Sequence, residues 1–273
     1  MKVAGPCVKA SGPLRARTFL EADHTWSGWL CRLSARGPDY SDAMSDALTE
    51  AGNEAQATRV PADHPGINEL FSLLAYGEVA AFYRLTDEAR MAPDLRGRIN
   101  MACMAAAEMN HYEMLRDALE ARGVDVVPAI TRYASALENY HRLTTPSTWL
   151  EALVKTYVGD ALAADFYREI ADALPDEVGD VVRSVLAETV HSQFVVAEVR
   201  KAVTASGRQR SRLALWSRRL LGEAITQAQF VLADRDELVD LVLSGEGGLA
   251  HLTEFFGRLQ RTHDDRMEQL GLA

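Results

Sequence analysis

The chain has 273 residues, 48% of them hydrophobic and 25% charged, with a formal net charge of -10. This is the makeup of a globular protein of one or at most two domains with a sizeable core. The acidic balance opposes general attraction to nucleic acid. No apolar run approaches the roughly 18 to 20 residues of a membrane span, and the first 30 residues hold no signal-type stretch, so a cytoplasmic location is expected.

Residues 1–62 are rich in Gly, Ser, Ala, Asp and Pro and lack sustained apolar periodicity. They are expected to form a largely disordered leader. Met44 opens a polar segment before the first strong helix, and translation starting there would leave 1–43 untranslated. Cys7, Cys31 and Cys103 are an odd number without close pairing, which points to reduced thiols rather than a disulfide framework or thiolate zinc site.

From about Pro65 onward, apolar stripes at helical spacing follow one another between short Pro, Gly or Asp breaks. The pattern predicts helices over 66–90, 94–122, 147–173, 176–204, 209–233 and 248–269, with a shorter one near 127–142. Pro93, Pro146 and Pro175 fall at or just before helix starts, and Gly123 and Gly207 mark helix ends. The expected fold is all-α: an antiparallel four-helix bundle over 63–204, with the helices of 205–273 packed on it and a mobile turn at Gly245–Gly248.

Charged residues interrupt the apolar stripes of the bundle helices. In the first, Phe71, Leu74, Glu78, Ala81 and Leu85 share a face. In the second, Met101, Met104, Glu108, His111, Leu115 and Leu119 do so. The third carries Leu153, Tyr157, Asp160, Ala164 and Tyr167, and the fourth Val181, Val185, Glu188, His191 and Val195. Gly precedes the acid in the first and third helices, and Ala-Glu-x-x-His recurs at Ala107–His111 and Ala187–His191.

Glu78 lies 14 residues before the turn near Ala92 and Glu108 lies 16 after it, while Asp160 and Glu188 each lie 14 from Leu174. With a rise of about 1.5 Å per residue and antiparallel neighbours, the four acids reach one level of the bundle. Glu-x-x-His alone says little, because it also occurs at Glu21/His24 and Glu138/His141. The first of these lies in the leader, and Glu138 borders the stripe of Ile130, Tyr133, Leu137 and Tyr140 rather than joining it.

A single buried Glu or His is usually a satisfied core group. Four carboxylates and two imidazoles at one level have no inexpensive neutral arrangement, and two divalent cations would neutralise them. Carboxylate and imidazole without thiolate suit iron or manganese, and one acid from each of two helices plus Glu-x-x-His from each of the others is a di-metal bundle arrangement. The expected ligands are Glu78, Glu108, His111, Asp160, Glu188 and His191.

At these residues the chain resembles the ferritin-like di-iron carboxylate proteins. The stretches Ala75–Phe82 (AYGEVAAF) and Tyr157–Tyr167 (YVGDALAADFY) are similar to the actinobacterial branch related to tRNA-(2-methylthio-isopentenyl-adenosine) hydroxylase. The resemblance spans about residues 65 to 270. It implies that Glu78 and His111 are terminal ligands of one iron, Asp160 and His191 of the other, and that Glu108 and Glu188 bridge them. Asp160 departs from the Glu usual there and is one methylene shorter. The resemblance also implies O₂ as co-substrate, an electron donor, and hydroxylation of a C–H bond on a modified tRNA base or a small molecule.

Tyr76, Tyr83, Tyr112, Tyr157 and Tyr167 are near enough in sequence to line such a pocket, with helical packing as the ordinary role for each. Arg200, Lys201, Arg208, Arg210, Arg212, Arg218 and Arg219 lie in a stretch without Asp or Glu, with Trp216 among them. The favoured reading is a solvated helix end and loop, with contact to RNA phosphates as the alternative. A ferritin-type iron store ranks low, because about 65 residues follow the bundle with Trp216, Phe230, Phe255 and Phe256 at core-like spacing. A non-catalytic metal- or protein-binding bundle is the remaining alternative to the hydroxylase.

Overall fold

The structure is a computed structural model that describes residues 60–171, 174–185, 192–244 and 248–273. The leader expected over 1–62 falls almost wholly outside these residues, as do Cys7, Cys31, Glu21/His24, the Met44 start, and 245–247 of the expected turn. No strand is found among the described residues. No described helix is long and apolar enough to cross a membrane.

The order is α1 (Pro65–Glu88), a short 3-10 turn (Ala89–Met91), α2 (Leu95–Ala121), α3 (Val126–Thr131), α4 (Ala134–Leu143) and α5 (Trp149–Ala171). It continues with α6 (Asp176–Val185), α7 (Ser192–Ala205), α8 (Gly207–Ala233), α9 (Asp236–Leu243) and α10 (Gly248–Leu270). The predicted short helix at 127–142 is two helices that meet at Arg132 and Tyr133. The predicted 176–204 is described as α6 and α7, with 186–191 outside the described residues.

Local chemistry sets the ends. Pro65 opens α1, where His64 Nδ1 accepts from the Gly66 N–H at 3.0 Å. Asp94 caps α2 by accepting from the Gly97 N–H at 2.8 Å. That helix closes at Gly123, whose φ of 72° lets its N–H reach the Glu120 carbonyl while Val124 N–H reaches Leu119. Gly207 departs from expectation. It begins α8 behind the N-cap Ser206 and has no positive φ, so the predicted helix end is a helix start.

α1 and α2 make the most extensive pairing, α5 packs on α6 and α7, and contacts of α2 with α6 and of α1 with α5 join the two pairs into the bundle. The predicted stripes form its core: Phe71, Leu74, Leu85, Met101, Met104, Leu115, Leu119, Leu153, Ala164, Val185 and Val195 are buried. α5 is the most enclosed, with Glu151 to Thr156 buried without interruption.

The helices after the bundle dock through polar as well as apolar contacts. Glu151, at the start of α5, accepts from the Ser147 N–H at 2.6 Å and from Arg212 Nε at 2.9 Å, while its carbonyl takes the Trp216 indole N–H at 2.9 Å. Arg266 of α10 forms a two-pronged pair with Asp165 of α5. Trp216, Phe255 and Phe256 are buried as expected, whereas Phe230 is 61% exposed.

Two of the basic residues read as a solvated helix end and loop are structural. Arg212 holds Glu151, and Arg219 donates to the Leu143 carbonyl and lies over the Trp216 ring. No long loop exists there, because α8 starts two residues after α7 ends. Arg200, Lys201, Arg208, Arg210 and Arg218 remain exposed.

Candidate metal centre

Glu78 on α1 and Glu108 and His111 on α2 converge between the paired helices. Each offers one donor atom, and the three lie within 4.8 Å of one another. His111 Nδ1 stands 3.5 Å from Glu78 Oε2 and 3.7 Å from Glu108 Oε2, with all three side chains 12–15% exposed. Ligands bound about 2.1 Å from a tetrahedral cation sit roughly 3.4 Å apart, so this trio needs little adjustment to hold one. The buried Nε2 of His111 has no hydrogen-bond partner among the described residues. Donor types and spacing both fit a divalent metal.

The three groups shift one another's proton affinities. Burial, then the neighbouring Glu108, holds the Glu78 carboxyl well above the usual range. Glu108 also feels burial, but His111, Glu78 and Arg84 outweigh it and its pKa is lowered. Hydrogen bonds to Glu108 and Glu78 push His111 up to about 10. A metal ion bound by the three groups would compete with protons for Glu78 and His111.

A cavity of 390 Å³ opens beside the trio, and Asp160 lines it with Glu78, Glu108 and His111. Asp160 is accessible to water from the cavity, yet enough protein surrounds it that burial, followed by Glu108, raises its pKa to about 7 against the pull of Arg84. The expected partners Glu188 and His191 lie outside the described residues. The structure therefore assembles three of the six expected ligands and sets a fourth on the same cavity.

The glycines before the two acids have a visible role. Gly77 and Gly159 both line the cavity, and a Cβ added at either meets nothing within 4 Å. Tyr157 and Tyr167 line it as well, and burial raises the Tyr167 pKa. Tyr76 instead donates to Glu138 at 2.5 Å, and Tyr83 is 65% exposed. Glu138 stays exposed outside the site, while His141, the other half of that Glu-x-x-His, lines the cavity.

Sequence reasoning missed the cations. Arg84 Nη1 lies 3.1 Å from Glu88 Oε2 and donates to Thr156 Oγ1 at 3.0 Å, while Lys155 Nζ lies 3.3 Å from Glu88 Oε1. The Arg84 and Lys155 side chains are only 8% and 2% exposed. Burial, against the attraction of Glu88, lowers the Lys155 pKa to about 8. Basic residues on helices ordinarily keep their charged heads in water, so a stripe analysis leaves them outside. The available signal was the apolar surroundings of Lys155, between Leu153, Val154, Tyr157 and Val158.

A helical bundle with carboxylates and an imidazole converging on one interior point is an arrangement that can hold a metal ion. Residues 62–245 match a family model described as a ferritin-like domain of actinomycetes, and the chain belongs to this ferritin-like family. No curated protein matches it.

Proposed function

We propose that the protein is a non-haem di-iron oxygenase that hydroxylates a C–H bond. Glu78, Glu108 and His111 would hold one iron, and Asp160, Glu188 and His191 the second, with Glu108 and Glu188 shared; manganese is the alternative metal. The observation that carries this reading is the opening of the Glu78/Glu108/His111 trio onto a cavity large enough for a small organic group. An iron store has no need of such a space beside its ligands.

Iron at this position would supply the electron transfer and O₂ reduction that turn a C–H group into an alcohol, with the second oxygen leaving as water and two electrons drawn from a partner reductant. The protein's own residues would bind and shield. Leu74, Met104, Leu137, Val185 and Val195 give the cavity apolar walls that exclude water from the reacting carbon. Gly77 and Gly159 keep room for it.

The substrate group would belong to a modified tRNA base or a small molecule. The exposed Arg200, Lys201, Arg208, Arg210 and Arg218 support the RNA alternative, since they are free to meet phosphates.

One observation favours the second reading, a non-catalytic bundle. Arg84 and Lys155 already offset part of the acidic charge. Metal analysis by plasma mass spectrometry of protein expressed with iron, beside Glu108→Ala, separates the two. About two irons per chain, lost in the variant, with O₂ uptake on addition of a reductant, is the expected result. A folded, metal-free wild type would move the binding bundle to first place.

A further inference from the structure

The cavity is lined by two chemically different sets of side chains. One is the acid and imidazole trio. The other is Arg84 and Lys155, both buried, with Glu88 as the carboxylate that pairs with both of them. Tyr140 and His141 line the same space, and the Tyr140 hydroxyl and His141 Nδ1 are buried without a hydrogen-bond partner among the described residues. A buried polar atom left unpaired is destabilising, so two in one cavity wall call for a ligand atom or water.

Charge gives the sign of that ligand. Arg84 also feels Asp160 and Glu108 across the cavity. With the two divalent ions of the proposed function bound, their four charges would balance Glu78, Glu108, Asp160 and Glu188, and Arg84 and Lys155 would be left with Glu88 alone. One positive charge then stands uncompensated in a low-dielectric wall, and a single negative charge closes the balance.

We propose that Arg84, Lys155, Tyr140 and His141 form a subsite for the carboxylate of a small organic acid, whose apolar chain runs along the cavity toward the metal trio. This rests on reading the cavity as the working site and names the class of substrate it takes. The carboxylate accepts from the Tyr140 hydroxyl and from the cationic groups, which fixes which carbon of the chain reaches Glu78, Glu108 and His111. The volume of 390 Å³ limits the occupant to a small molecule.

The test is calorimetric titration of hexanoate, with 1-hexanol as its uncharged counterpart, into the full chain both metal-free and loaded with Zn(II). Metal content is measured on the same samples, so failure to hold metal is read separately from failure to hold the acid. Lys155→Met removes the ammonium at similar length, and Tyr140→Phe removes one oxygen from a packed ring. The expected result is saturable hexanoate binding, tighter with metal. It should weaken about tenfold in Lys155→Met and several-fold in Tyr140→Phe, with hexanol at least tenfold weaker than hexanoate. Tyr140→Phe keeps the test decisive if Lys155→Met does not fold. Absence of hexanoate binding to folded wild type overturns the proposal. So does hexanol binding as tightly, or hexanoate affinity that survives the substitutions, which places the carboxylate on the metal or elsewhere.

Discussion

Lys155 Nζ lies 3.3 Å from Glu88 Oε1, with both side chains almost fully withdrawn from water, and the same carboxylate takes Arg84 at 3.1 Å through its second oxygen. One acid thus holds two cations from two different helices in the wall of the cavity. Removing one partner of such a group leaves a buried charge alone. Glu88→Gln is expected to lose about 3–5 kcal/mol in urea unfolding. Glu88→Gln combined with Lys155→Met should recover part of the loss. Equal stability of Glu88→Gln and wild type would mean that water already reaches the pair.

Lys155 also predicts a pH dependence. Its folded pKa of about 8 lies below the ordinary 10.5, so the unfolded chain binds more protons between those values. Stability on its account therefore rises as pH climbs through this window, by about 3 kcal/mol in all at 1.36 kcal/mol per pKa unit. Denaturant midpoints at pH 7.5, 8.5 and 9.5 should rise in wild type relative to Lys155→Met. A constant difference between the two proteins counts against a buried ammonium.

His141 acts at the acid side. Burial, then Arg84 and Lys155, lowers its pKa from 6.5 to about 2. The folded protein keeps this imidazole neutral while the unfolded chain protonates it below pH 6.5, so stability is lost as pH falls through that value. At pH 5 the loss is about 2 kcal/mol. His141→Leu should show a smaller drop between pH 7.5 and 5 by thermal melting, and an unchanged drop would assign the acid sensitivity to other groups.

The proposed metal ligands should trade stability for binding. Burial raises the Glu78 pKa well above normal, so its ionised form opposes folding above the unfolded value. Metal-free Glu78→Gln is expected to be about 1–2 kcal/mol more stable than metal-free wild type at pH 7.5. The same substitution should abolish the rise in melting temperature that Zn(II) gives wild type. A variant that still gains stability from Zn(II) would show that the ion sits elsewhere.

Gly159 offers a way to fill the cavity without disturbing its ligands. Gly159→Ala adds a methyl to open space and removes chain entropy from the unfolded state, for a gain of about 0.5–1 kcal/mol. Gly159→Leu should keep the metal content of wild type but bind less of any organic ligand. Loss of metal with the larger residue would place the ion closer to α5 than Asp160 implies.

Apolar periodicity carried most of the fold into view. Helices predicted at 66–90 and 94–122 lie within two residues of α1 and α2, because each has a proline or Asp start and a repeating buried stripe. Glu78, Glu108 and His111 were legible for the same reason: a charged residue inside an apolar stripe contradicts its surroundings. Arg84, Lys155 and Glu88 were not, because long charged side chains fit a solvent face equally well. What buries them is the convergence of α1, α4 and α5, which no single helix encodes. Gly207 misled for a related reason, since a glycine between helices serves as a first residue whenever a serine before it supplies the cap.

Glu151 and its partners set an order of events. The carboxylate that steadies the first turn of α5 is itself held by Arg212, 61 residues later in the chain. During synthesis at about 5–20 residues per second, the start of α5 therefore waits several seconds for the segment that locks it. Over that interval Glu151 faces water while the apolar run behind it seeks cover. A chain stalled or cut before α8 would be left with its most enclosed helix unanchored, which makes the residues after the bundle the natural target when misfolding of this protein is studied.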